Sequence, residues 1–231
     1  GTFELDASIM EGKDLSAGAV AGLKHVKHPI NAAYAVKAKS PHVMLSGAGA
    51  EEFAKEQGLE MVEDNMYFAT PKTMEWIEKL KQESKKNGTV GCVVLDKQGN
   101  LTAGTSTGGM FKKRWGRIGD SPVIGAGTYA DNNSCAVSCT GHGEYFIRHA
   151  VAFDVCARYK YLKESVEKAA DYIIHTELNT NAGNGGLIAV DKLGNIAMPY
   201  NSGGMFRGFL YKEKGSPEIK KGCGIGKKIV V

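Results

Sequence analysis

The sequence predicts an α+β fold in which two layers of strands are flanked by helices. Three observations support this fold class. Residues 93–111 recur as residues 188–206, and each copy has the pattern of a β-hairpin. The segment between the copies has apolar residues at helical spacing, and strands and helices alternate in the first third of the chain. With 231 residues, 42% of them hydrophobic, the chain can bury a substantial core.

The first elements are predicted to be a hairpin followed by a helix, a strand and a second helix. Two short apolar runs on either side of Gly12 and Lys13 indicate the hairpin. The pattern then predicts a helix over 29–39, a buried strand over 42–47 and a helix over 48–57 that ends at Gly58.

A linker is predicted next. Residues 71–86 are predicted to begin as a helix, because Thr70-Pro71 is a good helix start. They continue as a Lys/Glu/Gln/Ser/Asn tract up to Asn87-Gly88. This tract has the composition of a linker.

Each copy of the repeat is predicted to fold as an apolar strand, a tight turn and a second strand. The turn has the pattern Asp-Lys-x-Gly-Asn, which requires a positive φ at the glycine, and the second run leads to a Gly-Gly pair. Residues 144–161 and 162–176, between the copies, are predicted to be two helices.

Differences between the two copies indicate where function lies. Features that both copies share are expected to be structural. At the offset of the repeat, Thr89 matches Asn184, Asp120 matches Gly215 and Arg117 matches Lys212. The first copy is therefore predicted to carry chemistry that the second lacks.

Composition narrows the classes of function. The net charge of +4 is spread through mixed Lys/Glu stretches, which does not favour a nucleic-acid partner. The sequence contains no apolar run of the roughly 18 residues that a membrane helix needs, so a soluble chain is expected. Five cysteines, an odd number in a chain of this size, favour reduced thiols packed as small core residues. Neither CxxC nor HExxH occurs, so no zinc site is predicted.

Thr89 is the candidate nucleophile. It follows the flexible Gly88 at the end of the predicted linker and begins a buried apolar run. A threonine at a free N-terminus can use its own α-amine as the base that its hydroxyl needs. Gly88 can adopt the strained backbone that lets the hydroxyl attack the preceding carbonyl and cut the chain. Taken alone, however, Gly-Thr also fits an ordinary strand start, since the dipeptide occurs elsewhere in the chain.

Three motifs in order strengthen the functional interpretation: GTVGCVVLDKQGNLTAGTSTGGM, then GRIGDSPVIGAGTYADNNS, then SCTGHGE. With these motifs the sequence resembles the plant-type L-asparaginase and isoaspartyl-peptidase (beta-aspartyl-peptidase) family of the Ntn-hydrolase superfamily. The resemblance extends from about Phe3 to about Gly208 and is dense from Gly88 to Arg148. It is weaker to the glycosylasparaginases, whose nucleophile follows Asp rather than Gly.

The resemblance implies a four-layer αββα sandwich of Ntn-hydrolase type. Residues 1–88 would form the α portion and residues 89–231 the β portion of one domain, with autocleavage between Gly88 and Thr89. Thr89 would be the nucleophile, and Thr107 would hydrogen-bond its amine or hydroxyl. Arg117 would bind the α-carboxylate of the substrate, and Asp120 its α-ammonium.

The motif SCTGHGE would complete the site. By resemblance, the Thr140 hydroxyl and the Gly141 N–H would form the oxyanion hole, and Gly143 would let the backbone approach the substrate and offer its carbonyl to the ammonium. His142 is expected to be a pocket-wall or surface residue, because the Thr89 amine already provides a base. Glu144 is expected to complement the dipole of a helix in its first turn.

Alternatives stay open for several of these residues. Thr107 matches Ser202 in the second copy, so it also fits a turn residue. Arg117 and Asp120 also fit a surface ion pair, which would mean little for function. The TGHG stretch also fits a plain strand-to-helix turn.

Family members begin with a strand carrying a His-Gly-Gly-Ala-Gly-like motif, a helix and a sodium-binding loop, which have no counterpart in this sequence. The opening GTFELDASIMEG indicates that the domain begins upstream. The resemblance implies no cofactor for catalysis, a structural sodium ion in that upstream loop, and a dimer of αβ units. The compartment stays open, with the cytoplasm favoured and an exported form allowed.

The function predicted from these features is hydrolysis of L-asparagine or isoaspartyl dipeptides, with release of L-aspartate. Neither substrate is favoured over the other by the sequence. The alternative is a relative that keeps the fold as an uncut precursor or binding module. A protease acting on proteins fits poorly, because Arg117 and Asp120 would bind a free amino-acid head group and exclude a continuing chain.

Overall fold

The structure is a computed structural model that describes residues 2–71, 75, 88–212, 216 and 218–225. It has mixed α and β content, as the sequence predicts. The linker predicted over 71–87 lies almost wholly outside the described residues.

A five-stranded sheet contains both the N-terminal hairpin and the first copy of the repeat. Its order is β3-β2-β1-β5-β4. Neighbouring strands are antiparallel except β2 and β3, which are parallel. The strands are β1 (Leu5–Glu11), β2 (Ala17–Leu23), β3 (Met44–Ser46), β4 (Thr89–Leu95) and β5 (Leu101–Thr107).

The second copy of the repeat lies in a four-stranded antiparallel sheet of order β6-β7-β8-β9. A separate two-stranded ribbon, β10-β11, follows. These strands are β6 (Thr128–Ala130), β7 (Cys135–Gly141), β8 (Gly185–Asp191), β9 (Ile196–Ala197), β10 (Arg207–Lys212) and β11 (Ile219–Gly224).

Helices cover one face of each large sheet. Helices α1 (Pro29–Lys39) and α2 (Gly47–Glu56) pack on β2. Beyond β7 come the short α3 (Gly143–Arg148) and then α4 (Val151–Leu162) and α5 (Val166–Tyr172), which pack on the four-stranded sheet. Shorter segments are a 3-10 helix (Asn65–Phe68), a π-helical turn (Ile173–Glu177) and α6 (Leu178–Thr180). Along the described chain, no helix is long and apolar enough to cross a membrane.

The two large sheets pack against each other. Leu101 and Ala103 of β5 share a buried cluster with Ala136 of β7 and Val190 of β8. Burying these apolar side chains removes their surface from water and stabilises the contact. Strand β4 also lies close to β7, since a Cβ placed at Gly91 would come 2.1 Å from Ser138 Oγ. Only glycine allows this approach.

A chain of buried hydroxyls joins the sheets next to this apolar cluster. Ser8 Oγ donates to Thr128 Oγ1 at 2.8 Å, and Thr128 Oγ1 donates to Thr105 Oγ1 at 2.6 Å. Thr105 Oγ1 lies 2.7 Å from Ser138 Oγ. The paired hydroxyls avoid the cost of buried polar groups without partners, and they fix how β5 sits over β7.

The repeat is confirmed at atomic level in its two turns. Asp96 Oδ1 accepts from the N–H groups two and four residues later, and Asp191 Oδ1 makes the same two contacts. Gly99 and Gly194 have φ of 85° and 92°, as the pattern requires. Because these contacts recur in both copies, they match the features that were expected to be structural.

Four element predictions need correction. The run that Thr89 begins was expected to be buried, but β4 alternates partly buried and exposed positions, with Val90 and Val94 exposed. The segment 42–47 was expected to be a buried strand, but β3 is a short edge strand whose first residue, Met44, is exposed, as is Val43 just before it. The helix predicted over 144–161 is broken, because Ala150 adopts φ 46° between α3 and α4. The helix predicted over 162–176 begins only at Val166, because Lys163 has φ 58°.

The cysteines divide into two groups. Cys135, Cys139 and Cys156 are buried free thiols in the cluster between β7 and α4, as predicted. Cys92 and Cys223 are exposed, so the prediction that all five pack in the core is wrong. Cys92 lies on β4 at the sheet edge, where alternate side chains point to solvent.

We expect this exposure to decide thiol reactivity. In the native protein, an alkylating reagent should modify Cys92 and Cys223 and leave Cys135, Cys139 and Cys156 unmodified, because burial raises the pKa of Cys139 and Cys156 and blocks access. Peptide mass spectrometry before and after denaturation measures this. Native modification of Cys135 as fast as that of Cys92 would contradict the buried placement.

Candidate active site

Gly88, Thr89 and Thr107 meet where β4 begins and β5 ends. Thr89 pairs with Thr107 across the two strands. Thr107 Oγ1 donates to the Gly88 carbonyl at 2.9 Å and lies 3.0 Å from Thr89 Oγ1. It also accepts from Gly109 N at 2.9 Å. Since a hydroxyl has one proton, Thr107 accepts from Thr89 when it donates to Gly88.

Strand alternation brings β7 toward the same place. Thr105 contacts Ser138 between the sheets. Side chains two residues apart lie on one face of a strand, so the next residues on these faces are Thr107 and Thr140. Thr89 and Thr107 therefore lie near the C-terminal end of β7, which carries Thr140.

Gly141 ends β7 in a conformation that favours glycine. Its φ is 150°, and an added Cβ would lie 2.4 Å from Asn184 O and 2.6 Å from Gly185 Cα. The next residue, His142, donates its N–H to Asn184 O at 2.9 Å. The backbone at Thr140-Gly141 is thus fixed by β8 and turns directly into α3.

Gly143, Arg117 and Asp120 lie together. A Cβ at Gly143 would come 2.8 Å from Asp120 Oδ1 and 2.9 Å from Arg117 Nη2. Gly143 is only two residues after Gly141, so the turn joins the end of β7 to the predicted substrate-binding residues. This arrangement could not be predicted from residue order, because Gly143 is far from Arg117 and Asp120 in the sequence. It forms because the loop after β5 returns to the start of α3.

We expect Gly143→Ala to damage this arrangement. The added methyl group cannot fit beside Asp120 and Arg117 without moving them, and misplacement of about 1 Å can lower activity about 10²-fold. Steady-state kinetics would measure kcat/KM. Gly203→Ala is the matched control, because no atom lies within 4 Å of a Cβ placed there. Equal activity of the two variants would contradict the close approach.

Asp120 is buried rather than part of a surface ion pair. It is 5% exposed, and its Oδ2 has no hydrogen-bond partner among the described residues. Burial raises the pKa of this carboxyl to about 7, although its own backbone N–H and the Arg117 charge act in the opposite direction. A buried carboxylate oxygen without a partner can accept a hydrogen bond from a cationic ligand group.

Arg117 makes a contact that the sequence analysis missed. Its Nε and Nη2 donate to the two carboxylate oxygens of Glu144, both at 2.9 Å. Glu144 lies in the first turn of α3, as predicted, and His142 Nε2 lies 3.4 Å from its Oε2. Arg117 and Glu144 are far apart in the sequence, so no local pattern pairs them. An acidic residue at a helix start that could attract an arginine is only a weak signal.

Lys113 anchors the loop between β5 and Asp120. Its amine donates to the Glu4 carbonyl at 3.0 Å and lies 3.8 Å from Asp6 Oδ2. Asp6 is fully buried in β1, next to Thr107 across the sheet. This second contact was also not predicted from the sequence. It connects the loop to the end of the five-stranded sheet at which Thr89 and Thr107 lie.

Comparison with known proteins identifies the family. The sequence model of the asparaginase family matches residues 1–219, nearly the whole chain. The chain belongs to the asparaginase family. An isoaspartyl peptidase of Salmonella typhimurium is 48% identical over 225 residues, 91% of this chain and 72% of that protein. An isoaspartyl peptidase of Escherichia coli is 44% identical over 237 residues, 93% and 74% of the two chains.

An isoaspartyl peptidase/L-asparaginase of Mus musculus is 44% identical over 217 residues, 89% of this chain and 65% of that protein. These matches confirm the family predicted from the three motifs. In this asparaginase-family chain, the roles of the individual residues stay predictions. Among the described residues, no group of three or more His, Cys, Asp or Glu side chains is placed to hold a metal ion.

Proposed function

We propose that this chain cleaves itself between Gly88 and Thr89 and then uses Thr89 to hydrolyse L-asparagine, isoaspartyl dipeptides or both, releasing L-aspartate. The observation that carries the proposal is the hydroxyl chain from Thr89 through Thr107 to the Gly88 carbonyl. These contacts support the proposal because they link the hydroxyl of the proposed nucleophile, through Thr107, to the carbonyl that it would attack. A strand start needs none of these.

Self-cleavage begins with attack of Thr89 Oγ1 on the Gly88 carbonyl carbon. The Thr89 proton passes to Thr107, while the Thr107 hydroxyl stabilises the developing charge on the Gly88 oxygen. The C–N bond to Thr89 then breaks as its nitrogen takes up the proton that Thr89 Oγ1 released through Thr107, which leaves an ester on Thr89 Oγ1 and a free α-amine. Water hydrolyses the ester and frees the Gly88 carboxylate.

Turnover uses the amine that cleavage has released. The Thr89 amine takes the proton of its own hydroxyl, and the oxygen attacks the side-chain amide or isoaspartyl carbonyl. Thr140 and Gly141 would stabilise the oxyanion. The leaving amine departs with a proton, and water hydrolyses the acyl ester on Thr89 to aspartate. Apart from water and the substrate, these steps use only groups of this chain.

The α-amino acid head group would lie between Arg117 and Asp120. The Arg117 fork suits a carboxylate, and the unpartnered Oδ2 of Asp120 suits an ammonium. Gly143 allows a ligand to approach both, and its carbonyl is a further acceptor. A continuing peptide chain would lack the free ammonium and carboxylate, so this arrangement favours small substrates.

The relatives support the enzyme class, since they are named isoaspartyl peptidase or isoaspartyl peptidase/L-asparaginase. We extend that asparaginase and beta-aspartyl-peptidase class to this chain. The finer fold that we propose is the four-layer αββα sandwich, in which α1 and α2 lie outside one sheet and α4 and α5 outside the other. The same proposal includes a dimer of αβ units, in which each unit consists of an α portion, residues 1–88, and a β portion, residues 89–231.

The experiment incubates purified full-length protein and follows it by gel, mass spectrometry and amino-acid analysis. Two fragments, one beginning at Thr89, and aspartate release from L-asparagine or a β-aspartyl dipeptide are expected. A single uncut band that persists for days, with no turnover of either substrate, would instead favour the precursor or binding-module alternative. Turnover with the 88–89 bond intact would refute the N-terminal-amine mechanism.

A further inference from the structure

Arg117 is held by a carboxylate of its own chain. The two 2.9 Å contacts to Glu144 involve Nε and Nη2, so Glu144 grips one edge of the guanidinium. The Arg117 side chain is 18% exposed and that of Glu144 46% exposed. An ion pair at this exposure contributes little unless its geometry is bidentate, and this pair is bidentate.

A guanidinium has a second edge that Glu144 does not use. Nη1 and the remaining N–H of Nη2 can still grip another carboxylate. Gly143, the residue before Glu144, lies against Arg117 Nη2 and Asp120 Oδ1. Gly143 and Glu144 are the first two residues of α3. The helix that carries Glu144 therefore also fixes the place where Arg117 and Asp120 meet.

We propose that Glu144 is a positioning residue, which holds the side edge of Arg117 so that the Nη1/Nη2 edge is directed at the α-carboxylate of the substrate. This inference rests on the proposed function. Glu144 acts through Arg117 and does not touch the reacting atoms. Without it, the long Arg117 side chain would have to be ordered by the substrate, and that entropy cost would weaken binding.

Glu144→Gln tests the inference with little change in shape. In the processed variant, KM for L-asparagine should rise about 10-fold while kcat changes less than about 2-fold, because ground-state and transition-state binding are weakened alike. The matched control is Glu164→Gln, since Glu164 forms a similar two-contact pair with Arg158 on α4. The control should leave KM unchanged.

Two further readouts separate positioning from a structural role. The KM effect should disappear for the α-amide of L-asparagine, which lacks the carboxylate that Arg117 binds. It should also be largely lost in an Arg117→Lys background, because an ammonium cannot be held by the same fork. An equal loss with both substrates, or an unchanged KM for L-asparagine, overturns the inference.

Calorimetric titration with L-aspartate makes the outcome independent of turnover. If the protein binds aspartate but hydrolyses nothing, the proposed function fails while a weaker affinity in Glu144→Gln still supports the positioning role. If the wild type is active and Glu144→Gln matches it, only the positioning role fails. If the wild type neither binds aspartate nor turns over substrate, both fail.

Discussion

Thr89→Ala is expected to abolish both self-cleavage and hydrolysis. The substitution removes the oxygen that, in the proposed mechanism, attacks the Gly88 carbonyl and later the substrate, and losing a nucleophile typically costs at least roughly 10³-fold in kcat. On a denaturing gel the variant should stay one band of about 24.7 kDa, the mass of the intact chain. Amino-acid analysis should detect no aspartate above background.

Thr102→Ala is the matched control for this prediction. Thr102 lies on the same hairpin but pairs with Val94, away from the end of β5 that carries Thr107. The control should be cleaved and active. If Thr89→Ala were cut at the wild-type rate, or retained more than about a tenth of wild-type turnover, the assignment of the nucleophile would be wrong.

Asp120→Asn is expected to lower activity and raise stability at the same time. In the proposed site, the asparagine cannot offer a charged partner to the substrate ammonium, and loss of a buried charged contact should reduce kcat/KM roughly 10² to 10³-fold. In the wild type, kcat/KM should rise with pH until Asp120 ionises near its pKa of about 7. The variant should lack this rise.

The sign of the stability change follows from proton linkage. Burial raises the folded-state pKa of Asp120 from 3.8 to about 7, so the folded state binds the proton more tightly than the unfolded state. The contribution of Asp120 to the stability of the folded state is therefore greatest below about pH 4 and is lost as pH rises toward about 7. At about pH 8, the asparagine variant should be more stable by as much as roughly 4 kcal/mol. Near pH 4 the two proteins should be alike.

Urea unfolding at the two pH values measures this, with Asp131→Asn as the control. Asp131 is also 5% exposed, but its Oδ2 accepts from Lys160 at 2.9 Å. Burial acts to raise the pKa of Asp131, but the contacts with Lys160 and Asn133 together outweigh burial and leave this pKa below its usual value. Asp131→Asn should destabilise at about pH 8. A stability loss in both variants would contradict the unpartnered state of Asp120.

Much of the fold follows from local patterns. The N-terminal hairpin, α1 and α2 appear where period and turn signals predict them, because these signals act over a few residues. The errors arise where local patterns are silent. An apolar run such as 42–47 does not show whether another element will cover it, and left-handed residues such as Ala150 and Lys163 break a helix without Gly or Pro.

The same distinction between local patterns and contacts of distant segments applies to the candidate site. Thr89 could be proposed from its place behind Gly88 at a strand start, whereas the roles of Thr107, Gly141 and Gly143 were proposed from the resemblance to the family. The Arg117–Glu144 and Lys113–Asp6 contacts could not be proposed in either way, since each joins residues that only the assembled loop after β5 brings together.

The sequence by itself determined the two repeat hairpins, the turn glycines and a threonine placed behind a glycine at a strand start. Those features depend on backbone conformation and side-chain period within one segment. The tertiary structure alone decided that Asp120 is buried, with an Oδ2 that has no hydrogen-bond partner among the described residues, and that Glu144 occupies one edge of Arg117. Burial and charge pairing depend on distances between segments, which residue order does not specify.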